Sequence, residues 1–316
     1  MTDIDKLIIN LIENNKGIKE ISNILNMSEK KLYFRIKQII NYGYQLKPSY
    51  NYNSDIYYKI MYGEYEDISN EVSIKISNSN EEFRCIVISD MHIGNIDSDI
   101  DLLKKVYDYA SKEGINIILN CGDLIEGVHS TSKKNINSLE DQIDFFVKKH
   151  PYDKNIRVFT ILGNHDYHSL HYDGISILKV IKNLRYDIIP IGYGKGFVNI
   201  KKDYLMLEHE LSIVENPEIS RDTKISLVGH GHMMKTKLYD KLYLCIPSLS
   251  NVSPDKTKEI IPGFVDLNIS FNHNKFDYIE AKHVIIAKKL YEASISRCRL
   301  NNFDVNDSNY SKSKRK

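Results

Sequence analysis

Leu162-Gly163-Asn164-His165-Asp166 sets an amide oxygen, an imidazole and a carboxylate side by side, directly after the β-branched run Arg157-Val158-Phe159-Thr160-Ile161. Such a run reads as a buried strand, and Gly163 lets the chain turn sharply at its carboxyl end. Three polar groups in that position are costly to bury unpaired, which implies a charged partner in front of them. Four more apolar runs end in residues of the same kind. Asp90 and His92 follow Phe83 to Ser89, and Asp123 follows Ile115 to Cys121. His209 follows Leu205 to Glu208, and His230 with His232 follows Ile225 to Val228. Side chains two apart on extended backbone point the same way, so Asp90 and His92 can share one metal ion. A donor set of imidazole, carboxylate and amide suits manganese first, with iron and zinc as alternatives.

The elements that must position these residues alternate in type from Phe83 onward, which predicts an α/β core. Leu102, Leu103, Val106 and Tyr109 mark a helix closed by Gly114, and Leu139, Ile143, Phe146 and Val147 mark another. Leu242 to Ile246 and Phe264 to Ile269 read as two later strands. An isolated histidine is most often structural. His129, His150, His168, His171, His273 and His283 are read that way, although His168 and His171 follow the central tetrad closely enough to touch a substrate.

The five motifs, D-x-H, G-D, G-N-H-D, H and G-H-x-H, resemble in type and order those of the calcineurin-like metallophosphoesterases, over about residues 83–270. The resemblance implies a four-layer β-sandwich flanked by helices and a centre of two divalent metal ions. Asp90, His92 and His232 would hold one ion; Asn164, His209 and His230 the other; Asp123 would bridge them. It also implies that a metal-bridging hydroxide attacks phosphorus, that His165 assists without ligating, and that Asp166 orients His165. Two cations about 3.5–4 Å apart suit phosphoryl transfer because they bind its charged oxygens and acidify water. Protein phosphatases of this superfamily carry a phosphate-binding arginine in G-D-x-x-D-R-G. Here the stretch is Gly122-Asp123-Leu124-Ile125-Glu126-Gly127, without one, which disfavours a protein substrate. The flanks Ser89-Asp90-Met91-His92-Ile93-Gly94 and Ile246-Pro247-Ser248-Leu249 look closer to the SbcD-like repair exonucleases and related phosphodiesterases.

Ahead of this core, apolar stripes at Ile4, Leu7, Ile8, Leu11 and Ile12, at Ile18, Ile21, Ile24 and Leu25, and at Leu32, Ile36 and Ile39 predict three short helices. The tight Asn26-Met27-Ser28 turn, with Ser28 as an N-cap, joins the last two. Ile18 to Lys30 resembles the small helix-turn-helix domains of bacterial regulators, which implies DNA contacts by Lys30, Lys31, Arg35 and Lys37. Residues 1–48 hold eight Lys/Arg against five Asp/Glu, so the excess is modest. The alternative is an all-α bundle that binds protein or forms a homodimer. Residues 49–82 read as a Tyr- and Asn-rich wing or linker, with Val72 to Ile76 as an edge strand. Residues 83–300 read as the phosphoesterase domain, and residues 301–316 as a disordered basic tail.

The chain has 316 residues, 42% of them hydrophobic, and a net charge of +1, so a case for nucleic acid must rest on local charge. Its start is acidic, no apolar run is long enough for a bilayer, and Cys85, Cys121, Cys245 and Cys298 are widely spaced. A cytoplasmic protein with reduced thiols and no membrane partner is the expectation. The favoured activity is a phosphodiesterase or nuclease delivered to DNA by the helix-turn-helix. The alternatives are a small-molecule or nucleotide phosphoesterase and a DNA-binding regulator with a vestigial enzyme domain.

Overall fold

The computed structural model describes residues 2–41, 45–50, 56–61, 70–77, 79–173, 175–210, 223–239, 241–253 and 260–300. The expected tail at 301–316 lies outside them, as do Tyr42, Tyr44, Tyr52, Tyr62 and Tyr65.

The chain opens with α1 (Asp3–Glu13), α2 (Ile18–Ile24) and α3 (Glu29–Asn41), followed by an antiparallel hairpin of β1 (Gln45–Tyr50) and β2 (Ile56–Met61). Thr2 and Asp5 form a capping box that fixes the start of α1. Ile8, Ile12, Ile18, Ile21, Leu32, Ile36 and Ile39 make one small core, and Leu46 and Ile60 of the hairpin close it. The unit is therefore not purely helical, and a boundary at residue 48 would fall inside β1. Tyr58 packs against this core.

The α/β body begins with β3 (Glu71–Ile74) and β4 (Glu82–Ile88). It continues through α4 (Ile100–Glu113), β5 (Ile117–Asn120), α5 (Leu139–Lys149), β6 (Arg157–Leu162), α6 (Asn164–Asp173) and α7 (Ile177–Leu184). Then come β7 (Ile188–Tyr193), β8 (Lys195–Ile200), β9 (Asp203–Glu208), β10 (Ile225–Val228), β11 (Lys235–Leu238) and β12 (Leu242–Cys245). The long strands β13 (Gly263–Asn272), β14 (Lys275–Ile286) and β15 (Leu290–Arg299) finish it. They form two sheets, ordered β15-β14-β13-β4-β5-β6-β7 and β11-β12-β10-β9-β8-β3. The segment around Val72 is an edge strand, as its alternation predicts, but it belongs to the α/β body.

The apolar runs before Asp90, Asp123 and Asn164 are unbroken because β4, β5 and β6 of the larger sheet are covered on both faces. Phe83, Cys85, Val87, Leu119, Phe159 and Ile161 face the smaller sheet, whose Val198, Leu205, Leu207, Leu227 and Leu244 meet them. Ile86, Ile88, Ile118, Val158 and Leu162 face the helices, against Leu103 and Val106 of α4, Phe146 of α5 and Ile181 of α7. The α4 cap uses Asp99 at one end and left-handed Gly114 at the other. Since β4, β5 and β6 are parallel neighbours, as are β9 and β10, their carboxyl ends gather where the edges of the two sheets meet.

Candidate metal centre

All seven expected ligands follow the carboxyl ends of these five strands, six in the connecting turns and Asn164 as the first residue of α6. Five of them, Asp90, His92, Asp123, His230 and His232, have positive φ between 48° and 67°. Non-glycine residues avoid this region unless the surroundings enforce it, so the backbone is bent to aim these side chains inward. Glycines clear the space. A Cβ at Gly163 would lie 2.1 Å from Asp123 Oδ1, and one at Gly229 would lie 2.8 Å from His209 Nδ1. A register shift between β6 and β7, just before Gly163, completes the turn.

Asp90, His92 and His232 bring their ligand atoms together in one group, and Asp123, His209 and His230 do so in another. His232 Nε2 is 3.3 Å from Asp90 Oδ1. Asp123 Oδ2 lies between the groups, 3.6 Å from His92 Nε2 and 3.2 Å from His209 Nε2. Asn164 Oδ1 is 3.1 Å from His209 Nε2 and 3.0 Å from His230 Nδ1. Ser248, from the flank after β12, donates to the Asp90 carbonyl and holds that ligand's backbone.

Three of the rings are fixed from behind. Nδ1–H of His92 donates to Glu126 Oε2 (3.0 Å), that of His209 to the Cys121 carbonyl (2.6 Å), and that of His232 to the Val252 carbonyl (2.7 Å). This is the arrangement that presents an unprotonated Nε2 to a metal. It also leaves the Nε2 lone pairs of His92 and His232 facing each other at 3.1 Å, which only a cation or a proton between them relieves. Asp90 Oδ1, buried in the same space, has no hydrogen-bond partner. The donor set therefore fits a divalent metal ion.

The electrostatics agree. Burial would raise the Asp90 and Asp123 carboxyls, yet His209, with His232 beside Asp90 and His165 and His92 beside Asp123, holds both below the usual range. Burial would lower His209, but Asp123 and Asp90 push it up to about 10. The cluster thus takes up positive charge, as protons when no metal is bound.

His165 stands at the rim and makes no described contact with a ligand carboxylate through its ring. Its N–H donates to Asp123 Oδ1 (2.9 Å) and its Nδ1 to the Glu126 carbonyl (2.9 Å), so Nε2 is left for a substrate. Burial would lower its pKa, but Asp123 and Glu126 raise it. The role expected for Asp166 needs correcting. Its carboxylate accepts from the backbone N–H groups of Leu124, Ile125 and Gly163, so it clamps the β5 and β6 turns together, and Glu126 holds the His165 ring. Burial, followed by Asp123, raises Asp166 to about 7.

Glu126 is the functional residue that motif reading overlooked. Its signal was an acidic side chain within the apolar stretch Leu124-Ile125-Glu126-Gly127-Val128, where only a paired carboxylate is tolerated. Gly127 adopts φ +69° with the His165 carbonyl 3.0 Å from where a Cβ would stand, so an arginine at this position would be strained.

The four expected DNA contacts are placed differently from one another. Lys31 is exposed on α3. Lys30 lines a cleft of about 650 Å³ between α3 and α5, opposite Glu140, Asp141 and Asp144. Arg35 Nη1 instead turns inward, 3.4 Å from Asp5 Oδ1 of α1. The Lys37 side chain lies outside the described residues.

A family model, calcineurin-like phosphoesterase, matches residues 83–279. Among solved structures, the chain is similar to vacuolar protein sorting 29 from Cryptosporidium parvum, with 15% identity and a TM-score of 0.45 over 70% of this chain and 100% of that one. It is also similar to the phosphoesterase YfcE from E. coli (16%, TM-score 0.39, 69% and 100%) and to the nuclease MPE of Pseudomonas putida (15%, TM-score 0.34, 70% and 96%). No curated protein matches it. No helix among the described residues is long and apolar enough to cross a membrane. The family model takes in every ligand-bearing turn and more than half of the sequence, and the chain belongs to the calcineurin-like phosphoesterases.

Proposed function

We propose that this phosphoester hydrolase is a two-metal phosphodiesterase acting on nucleic acid. The observation that carries the reading is the position of Asp123, which clusters with His209 and His230 while its Oδ2 also lies 3.6 Å from His92 of the cluster with Asp90 and His232. Asp90, His92 and His232 would hold one ion and Asn164, His209 and His230 the other, with Asp123 shared; manganese suits this mixed set. When bound, such a pair supplies Lewis acidity toward phosphoryl oxygens and lowers the pKa of water.

The protein's own part is to orient and to move a proton. Nδ1 of His165 is committed to the Glu126 carbonyl, so its Nε2 is free to bind a phosphoryl oxygen or to protonate the leaving oxygen. Burial works against a charged ring here, but Asp123 and Glu126 raise the pKa and so favour its protonated form. The position that carries the phosphate-binding arginine in the second motif of protein phosphatases is Gly127 here. That favours a diester, whose single negative charge needs less neutralisation. The nucleic-acid part of the reading draws on the N-terminal unit, where a tight turn joins α2 to α3, a hairpin follows, and Lys30 and Lys31 begin α3.

The test is a substrate panel with the purified protein and Mn²⁺: a nitrophenyl diester, the matching monoester, and single-stranded and duplex DNA. The expected result is diester over monoester, with cleavage of DNA. Preference for the monoester with intact DNA would replace this reading by a nucleotide phosphatase.

A further inference from the structure

Glu126 ties together two parts of the molecule that the metal ligands alone do not connect. Its side chain is 1% exposed. Oε2 accepts from His92 Nδ1 and from Asn95 Nδ2, both at 3.0 Å. Oε1 accepts from the hydroxyls of Ser130 and Ser132. A carboxylate has about four lone-pair sites, and all four are filled.

The serines belong to a loop, residues 128–137, that is itself anchored. Lys134 Nζ donates to the Ser130 and Ser132 carbonyls, and Asn135 N–H donates to the Gly94 carbonyl. Gln142 bridges the ends of the loop, accepting from Gly127 N–H and donating to the Ile136 carbonyl. Along it, half-buried Ser130, Ser132 and Lys134 alternate with exposed His129, Thr131 and Lys133.

We infer that Glu126 is a positioning residue that couples the loop at 128–137 to the metal ligand His92. A ring held by one hydrogen bond can still rotate about that bond. The carboxylate stops this only if its own plane is fixed, and Asn95 with the two serines fixes it. The serines touch no ligand, yet through Glu126 they set the direction of His92 Nε2. Outer partners of this kind typically change metal affinity by about 10–100-fold when removed.

The inference rests on the metal-centre reading, and its test separates the two. Mn²⁺ binding to the metal-free full chain is measured by titration calorimetry, with diester turnover and thermal melting alongside. Glu126→Ala should weaken binding at one site by about 10–100-fold. Glu126→Gln keeps the shape, with an amide oxygen still accepting from His92, and should give a smaller loss. Ser130→Ala/Ser132→Ala should weaken binding several-fold and raise KM more than it lowers kcat. If Glu126→Ala does not fold, the other two variants decide. Wild-type affinity in both, with only a lowered melting temperature, would overturn the coupling and leave Glu126 a purely structural group. Metal bound by the wild type without hydrolysis of any phosphoester would defeat the functional reading instead, because affinity is read without turnover.

Discussion

The metal centre and the N-terminal unit are held together by opposite means. The unit buries isoleucines and leucines, Ile8, Ile12, Ile21, Leu32 and Ile39 among them, and its Arg35–Asp5 ion pair joins α3 to α1. The metal centre gathers four carboxylates, Asp90, Asp123, Glu126 and Asp166, and five imidazoles between the ends of two sheets. The first arrangement stabilises itself. The second concentrates charge that an interior disfavours, and it persists because the surrounding body, with its two large cores, fixes the backbone in place. Sites of this kind spend stability on function, so the two regions should respond differently to substitution.

The most severe test is at Asp123, which in the proposed reading is shared by both ligand groups. Asp123→Asn removes the negative charge that, in that reading, would offset two cations. Most bound metal should be lost, and hydrolysis should fall by more than the roughly 100-fold cost of losing an outer partner. Metal analysis, diester turnover and circular dichroism would report it. Two ions still bound with activity intact would refute the shared role.

Next is His165, which in the proposed reading sits beside the ligands without joining them. His165→Ala should keep both ions and lose about 10²–10⁴-fold in kcat, the usual contribution of a general acid or base. An equal loss of metal would move His165 into the ligand set and erase the distinction drawn between holding the metal and moving the proton.

How much of this contrast was legible in the residues alone differs between the regions. The strands ending at Asp90, Asp123, Asn164, His209 and His230 are visible because burial on both faces leaves long apolar runs with polar stops. The helices at 102–109 and 139–147 show through their spacing and caps. β14 and β15 were not legible: Glu280, Lys282, Glu292 and Arg297 interrupt them, and β15 is a largely exposed edge strand with little apolar alternation. The hairpin at 45–61 was ambiguous because its tyrosines fit a linker as well as a wing, and only the packing of Leu46 and Ile60 decides for the helical core. Within the site, the residues that cluster at the strand ends were readable as motif residues. Glu126 carried no role there and Asp166 was given His165 instead of the backbone it holds, since which carboxylate meets which ring depends on turns that no spacing rule gives.

The N-terminal unit should fail in the opposite way. Leu32→Ala opens a cavity in a small aliphatic core and should cost about 2–5 kcal/mol of that unit's stability. Turnover of a small diester should stay within a few-fold, because every ligand lies beyond residue 83. A chain beginning at residue 70, which spares β3, should behave likewise while binding duplex DNA more weakly and with a shallower salt slope. Equal DNA binding by the full and shortened chains at every salt concentration would make the unit a protein-docking or dimerising element.

The smallest effect concerns a histidine that the metal centre does not use. His150 is buried beside Phe146 and Tyr107, donates Nδ1–H to the Pro151 carbonyl, and leaves Nε2 unpartnered. Burial, aided by the Arg185 charge, lowers its pKa to about 4. His209 shows the reverse, held charged by two carboxylates. In the unfolded chain His150 titrates near 6.5. Between about 4 and 6.5 the unfolded state therefore binds the extra proton, and stability rises with pH. The His150 contribution is complete above about 6.5 and is lost as pH falls toward 4. At pH 5 the chain is about 1.5 pH units below the unfolded value, which at 1.36 kcal/mol each is about 2 kcal/mol. The raised pKa of His209 acts above 6.5 and leaves this window flat. The N-terminal unit has no histidine at all, since the first in the chain is His92. Urea unfolding of metal-free protein at pH 7 and pH 5, compared with His150→Asn, should show the wild type losing about 2 kcal/mol more than the variant across that interval. Identical losses in both would mean that the acid sensitivity of the α/β body lies in the metal centre itself.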